Sequence, residues 1–285
     1  MSRRHILVLS CADRPGIVAA VAGHIARSGG NITESSQFND PDTDRFFLRT
    51  GFTLADGADE AAMRAGFDAL AAEYGMTLSL RAADLRPRVL ILVSKFDHCL
   101  VDLLYRQRIG ELDMEVAGII SNHGLAAHAN ADFGAIPFHH LPVSPDTKAA
   151  QEARLLELVA ESRADLVVLA RYMQILSDNL AARLSGRCIN IHHSFLPSFK
   201  GARPYHQAHD RGVKLIGATA HYVTTDLDEG PIIEQDVERI SHADTPEDLV
   251  RKGRDIERRV LARAVGLHLQ GRVLMNGRRT VVFRD

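Results

Sequence analysis

Asn190, His192 and Asp228 are the residues of this chain best suited to chemistry. Asn190 and His192 stand two apart in CINIHHS, alternating with Ile189 and Ile191. In a strand, side chains at i and i+2 share a face. The amide and the imidazole therefore point the same way at the end of a buried strand, and the strand ends of an α/β sheet are where ligands sit. Asp228 lies in TTDLDEGPII, a polar turn between two apolar stretches. A carboxylate beside an imidazole favours imidazolium and holds its orientation. An amide and an imidazolium on one face can donate two hydrogen bonds to a developing oxyanion. The carboxylate can take a proton from an attacking water and deliver one to a leaving amine. None of these steps requires a covalent intermediate. Asp226 is the near competitor for Asp228.

Two blocks of elements must position these groups. In the first, HILVLSCA reads as a strand, DRPG as a turn, and GIVAAVAGHIARSGGN as an amphipathic helix closed by Gly29-Gly30. Strands NITESSQF and RFFLRTGFTL follow, separated by NDPDTD, then helix DEAAMRAGFDALAAEYG and strand MTLSLRA. The order β-α-β-β-α-β is that of a ferredoxin-like sandwich. The second block opens on RVLILVSK, an apolar run of the kind that parallel sheets bury on both faces. Helical and strand patterns then alternate through MEVAGIISNH, IPFHHLPV, DTKAAQEARLLELVAESR, ADLVVLA, LSDNLAARLSG and CINIHHS, which predicts a doubly wound, Rossmann-like α/β domain. KLIGATAHYVTTD and GPIIEQDVERI read as strands, residues 246–269 as a helix, and Asn276-Gly277 as a hairpin turn. The expected division is a domain over residues 1–83, a linker over 84–88 and a catalytic domain over 89–285.

Composition narrows the class. The chain has 285 residues, 46% hydrophobic and 25% charged, which suits an ordinary globular protein with a sizeable core. A net charge of -2 argues against a nucleic-acid surface. Cys11, Cys99 and Cys188 are scattered and odd in number, which points to free thiols in a reducing compartment. The apolar run over residues 6–9 after Arg3-Arg4 is too short for a secretory signal. No stretch reaches the roughly 20 apolar residues of a membrane span. A cytoplasmic protein is expected.

Asp13-Arg14-Pro15-Gly16-Ile17, the helix after it and Gly30-Asn31-Ile32 resemble an ACT domain. The resemblance implies edge-to-edge pairing into a homodimer or homotetramer, and a possible amino-acid effector near Asp13, Gly16, Ile17 and Asn31. Free N–H groups at a helix start suit a carboxylate. On the plainer reading, Asp13 caps the helix and the domain only assembles oligomers. NIHHSFLPSFKGARPYHQA, IGATAHYVTTDLDEGPIIEQD and LARYMQIL resemble the formyltransferase-type domain of folate enzymes, over essentially all of residues 88–285. That resemblance places the family's Asn, His and Asp on Asn190, His192 and Asp228.

Transformylases of the glycinamide ribonucleotide type carry a Gly/Ser-rich loop after the first strand, and it grips the substrate phosphate. Here the loop reads SKFDHCLVDLLYR, without glycine and with Asp97. The usual acceptor site looks dismantled, and water becomes the obvious nucleophile. An ACT domain fused to such a domain, with the pair His192-His193, resembles the formyltetrahydrofolate deformylases. The resemblance implies hydrolysis of 10-formyltetrahydrofolate, with no tightly bound cofactor and no metal. It implies a pterin held by Arg171, Tyr172, Met173, Gln174, Ile175 and Leu176 and by Thr224, Thr225 and Asp226. Lys200 and Arg203 are candidates for the glutamate tail, and His221 for the pocket lining. By strand alternation His193 faces away from His192, as a structural group or a hydrogen bonder behind the reacting groups rather than a catalyst; His139-His140 and Cys188 are structural. Two other classes stay open. The histidines and Asp228 could hold a metal, although no common ligand spacing is present. A folate sensor without turnover would bind substrate but has no use for all three polar groups.

Overall fold

A computed structural model of the chain describes residues 3–193 and 204–284. They fall into two compact units. The first contains β1 (Arg3–Ala12), α1 (Ile17–Arg27), β2 (Gly30–Asp40), β3 (Arg45–Leu54), α2 (Glu60–Tyr74) and β4 (Thr77–Ala82). The strands pair antiparallel in the order β2-β3-β1-β4, the ferredoxin-like arrangement that the element order predicts. Alternation along β1 sends Leu7, Leu9 and Cys11 to one face. Ile17, Val21 and Ile25 recur at helical spacing along α1 and pack into the same core. Asp59 Oδ1 accepts from Ala62 N at 2.9 Å to start α2, and Gly75, at φ 63°, ends it.

The second unit contains β5 (Arg88–Val93), α3 (His98–Arg108), β6 (Glu115–Ser121), β7 (Phe138–His140), α4 (Lys148–Glu161), β8 (Leu166–Leu169) and α5 (Asp178–Arg183). It continues with β9 (Cys188–His192), α6 (Pro204–Asp210), β10 (Leu215–Tyr222), β11 (Ile232–Arg239) and α7 (Pro246–Leu269). Its seven strands lie in the order β11-β10-β9-β8-β5-β6-β7. The run from β7 to β9 is parallel, and β10 and β11 close one side antiparallel. Val89, Leu90, Ile91, Leu92 and Val93 of β5 are all buried, as a strand covered on both faces demands. Strand order reverses between β8 and β5, so a crevice forms past their C-terminal ends.

The tail forms a hairpin of β12 (Val273–Asn276) and β13 (Arg279–Val282). Its residues divide: Gly277–Thr280 belong to the second unit, while Gln270–Asn276 and Val281–Asp285 belong to the first. The sequence pattern placed all of residues 270–285 with the catalytic domain. In the first unit Leu274 and Phe283 bury against Phe47 on the sheet face that the helices leave uncovered. Arg49 Nε also donates to Gln270 O at 3.0 Å there.

Candidate active site

β9 delivers Asn190 and His192 to the crevice, and β10 pairs with it so that His221 lies opposite Asn190 and Thr219 opposite His192. A register shift between Ala220 and His221, against β11, turns the end of β10 inward. The turn that follows brings Asp228 back over both strands. A Cβ on Gly230 would stand 1.7 Å from Tyr222 O, so only glycine allows this approach. Asp228 itself adopts φ 56°.

The polar groups meet around the Asp228 carboxylate. His192 Nδ1 lies 3.3 Å from Asp228 Oδ2, and His221 Nε2 lies 3.6 Å from Oδ1. Asn190 Nδ2 donates to Oδ1 at 3.5 Å. His221 Nδ1 donates to Tyr222 O at 2.9 Å, which leaves its Nε2 for the carboxylate. Burial raises the Asp228 pKa, but hydrogen bonds from His192 and His221 outweigh it and hold the carboxyl well below the usual range. These groups form one wall of a cavity of about 790 Å³. Met173, Ile175 and Leu227, all more than half exposed, offer an apolar wall to the same space.

Behind this wall is a second polar group. Arg171 Nη1 donates to His193 Nδ1 at 2.6 Å, and Arg171 Nε lies 3.4 Å from Glu257 Oε2, too poorly aimed for a hydrogen bond. Tyr205 donates to Glu257 Oε1 and His98 Nε2 to Oε2, each at 2.7 Å. Burial raises the Glu257 pKa, yet His98 and Arg171 reverse the sign and keep it ionised. Among the described residues, His98, Cys99 and Glu257 are a trio whose donor atoms lie within 4.8 Å of one another. Burial pushes the Cys99 thiol well above its ordinary value, against the thiolate that a metal takes. The Glu257 oxygens there are already engaged.

Comparison with known proteins adds the family. A profile described as Formyl transferase matches residues 87–265, and one described as ACT domain matches residues 5–65. The chain is 52% identical to the formyltetrahydrofolate deformylase of Corynebacterium sp. (strain P-1), over 99% of this chain and 98% of that one. A solved formyltetrahydrofolate deformylase from Burkholderia mallei superposes with a TM-score of 0.93 at 51% identity, covering 99% of this chain and 100% of the other. Glycinamide ribonucleotide transformylase 1 from Symbiobacterium toebii superposes with a TM-score of 0.63 at 32% identity, covering 70% of this chain and 95% of the other.

The chain belongs to the formyltetrahydrofolate deformylase family.

The ACT and formyltransferase resemblances are therefore both real. Asn190, His192 and Asp228 come together, and Met173, Gln174, Ile175, Leu176, Thr224, Thr225 and Asp226 all line the same cavity. Arg171 lines it as well, but its guanidinium is turned to His193 and Glu257. The Tyr172 side chain is buried, with its hydroxyl accepting from Gln151 Nε2 at 2.9 Å. Lys200 and Arg203 lie outside the described residues.

The expected orientation of His193 is corrected. β9 ends at His192, alternation ends with it, and the two imidazoles stack at 5.1 Å in one cavity. Of the four effector candidates, Asn31 is separated from the other three within one chain. Asn31 is level with Thr53 and hence with Arg4 at the start of β1, whereas Asp13 follows the other end of that strand. Asp13 does not cap α1; its Oδ2 accepts from Asn39 Nδ2 at 2.7 Å. Ile17 is buried in the core.

His221, a candidate for the pocket lining, does line the cavity, whereas Glu257 and Arg278 are residues that the sequence did not assign to the site. His221 had a signal in the alternation of Thr219 and His221 along ATAHY. Glu257 had none, because a buried acid on a helix reads from sequence as part of a solvated face.

Proposed function

We infer that this chain hydrolyses 10-formyltetrahydrofolate to tetrahydrofolate and formate, the activity for which its relatives are named. One observation carries the reading: an ionised carboxylate, an amide and two imidazoles converge on the polar end of a cavity with an apolar wall. The pterin lies against Met173, Ile175 and Leu227, and the formyl oxygen faces Asn190 Nδ2 and His192. Water adds to the formyl carbon while the C=O electron pair moves to oxygen. The amide and the imidazolium stabilise that charge. The C–N bond then breaks, its electron pair stays on nitrogen, and the nitrogen takes a proton as formate leaves.

A carboxylate held as low as Asp228 is at first a poor proton acceptor. Its early work is orientation. The attacking water becomes strongly acidic as its bond to carbon forms, so Asp228 takes one of its protons then, with His221 still beside it. His192 gives its proton to the leaving nitrogen, Asp228 returns its own to His192, and the formic acid releases its last proton to solvent as formate.

Two features favour water over a phosphorylated acceptor amine. Asp97 stands at the N-terminus of α3. That helix end favours an anion, and here a carboxylate stands where a substrate phosphate would have to bind. Arg278, 82% exposed and lining the cavity, reaches Glu229 only at 3.5 Å. It can instead take the carboxylates of the folate tail. The reading extends to a homo-oligomeric, cytoplasmic enzyme that balances one-carbon folates, supplies formate for purine synthesis and answers to an amino acid at its ACT domain. Among the described residues no helix is long and apolar enough to cross a membrane.

The test uses purified protein, 10-formyltetrahydrofolate, a chelator and no acceptor. Equimolar formate and tetrahydrofolate should appear. Asp228→Asn should lower kcat by at least 10²–10³, the order of effect of losing one oxyanion donor. Turnover only after an amine acceptor is supplied would make the protein a transferase; chelator-sensitive turnover would make it a metalloenzyme.

A further inference from the structure

His193 is half-buried beside the reacting groups, and the mechanism above leaves it without a task. Its surroundings fix its chemistry. Among the described residues the partner of its Nδ1 is Arg171 Nη1, at 2.6 Å. A guanidinium has five donors, no acceptor and no accessible deprotonated form. Nδ1 must therefore accept, and the proton of the neutral ring must sit on Nε2.

Arg171 is held to this task from behind. Glu257, 1% exposed, takes hydrogen bonds from Tyr205 and His98 and faces Arg171 Nε with its remaining charge. Burial drives the Tyr205 phenol far above its ordinary value, so it stays a donor. Arg171 also adopts φ 64°, a left-handed backbone that L side chains rarely take and that glycine would take freely. The chain places arginine there all the same.

We propose that Arg171, anchored by Glu257, is a positioning residue that locks His193 as its neutral Nε2–H tautomer, making it a third hydrogen-bond donor to the substrate in the cavity. This rests on the hydrolase reading only for the identity of the occupant. Among the described residues, the charged and titratable groups that face His193 are His192 stacked on it from β9, Arg171 after β8, Tyr205 from α6, Glu257 from α7 and Asp228 from the turn after β10. Burial comes first, followed by Arg171 and His192, in lowering its pKa to about 4, against the smaller opposing effects of Glu257 and Asp228. A donor of this kind keeps its proton count across the physiological range, while the imidazolium of a catalytic acid does not.

The tautomer is read directly by long-range ¹H–¹⁵N correlation on full-length protein labelled with ¹⁵N-histidine, with His193→Asn as the assignment control. The expected pattern is an unprotonated Nδ1 and a protonated Nε2, unchanged from pH 5 to 8. A Nδ1–H pattern, or titration of this ring near neutrality, overturns the proposal. No substrate is present, so this outcome is independent of whether the chain hydrolyses formyl-folate.

The second arm is Arg171→Met. It should raise the titration midpoint of His193 above its wild-type position but short of 6.5, because burial and His192 still hold it down, and give kcat/KM a new acid limb. That limb should vanish in Arg171→Met/His193→Asn. If Arg171 served folding alone, the variant would lose stability and keep the wild-type pH profile, which also overturns the proposal. If Arg171→Met does not fold, the wild-type tautomer decides the matter.

Discussion

At the scale of single residues, the site is an arrangement of protons. Asp228 is ionised because two imidazoles face it, and His193 is neutral because it is buried and an arginine faces it. The second of these has a thermodynamic signature. The folded chain refuses a proton at His193 until about pH 4, while an unfolded histidine accepts it near 6.5. The unfolded state therefore binds more protons between those values, and stability falls as pH drops through the window. The full effect is on the order of 3 kcal/mol at its lower edge. His193→Asn keeps an acceptor for Arg171 but no titration. Urea unfolding at pH 7 and pH 5 should show the wild type losing stability over this step and the variant losing much less. Equal losses would mean that His193 takes up its proton in the folded state. Asn190, His192 and Asp228 were legible in the sequence because i and i+2 on a strand, plus a polar turn, are local patterns. The Arg171–His193–Glu257 set was not, because its members come from a loop, a strand end and a helix that only the fold brings together.

At the scale of elements, the antiparallel pair β9–β10 and the turn after it make the site. The strands were legible from apolar alternation, and so was the turn. Neither the register that sets His221 opposite Asn190 nor the shift that aims it is written in either strand alone. Gly230 is the element-scale constraint. Its missing side chain lets the turn approach Tyr222 O, and Tyr222 N closes on Pro231 O at 2.9 Å. Gly230→Ala must move backbone, since the obstacle is a carbonyl and not a flexible tip. Asp228 then leaves its imidazole partners. The variant should keep wild-type far-ultraviolet circular dichroism and lose at least a hundredfold in formate release, close to Asp228→Asn, because both remove the same carboxylate from the same place. Activity within a few-fold of wild type would show that the turn tolerates the displacement, and that the Asp-x-Gly spacing does not hold the carboxylate.

At the scale of the whole chain, sequence order and spatial membership part company at the C-terminus. The hairpin at Asn276-Gly277 was legible from its turn chemistry, but its allegiance was not. Burial of Leu274 and Phe283 depends on Phe47, more than 200 positions earlier, and no local pattern carries that. The first unit is a small sheet with helices on one face, and Val8 and Phe47 on the other face would meet water without the tail. The tail is thus part of that unit's core. Phe283→Ala should cost the first unit about 3 kcal/mol, the usual order for a buried phenylalanine. A global melt mixes two units and is not two-state, so the reading belongs to hydrogen exchange of β3 (Arg45–Leu54) in the full-length protein. Protection there should drop by two orders of magnitude or more, since each 1.4 kcal/mol is tenfold, while β5 (Arg88–Val93) keeps its wild-type exchange. Unchanged protection in β3 would mean that the tail lies on that sheet without stabilising it, and that the first unit's core is complete within its first 86 residues.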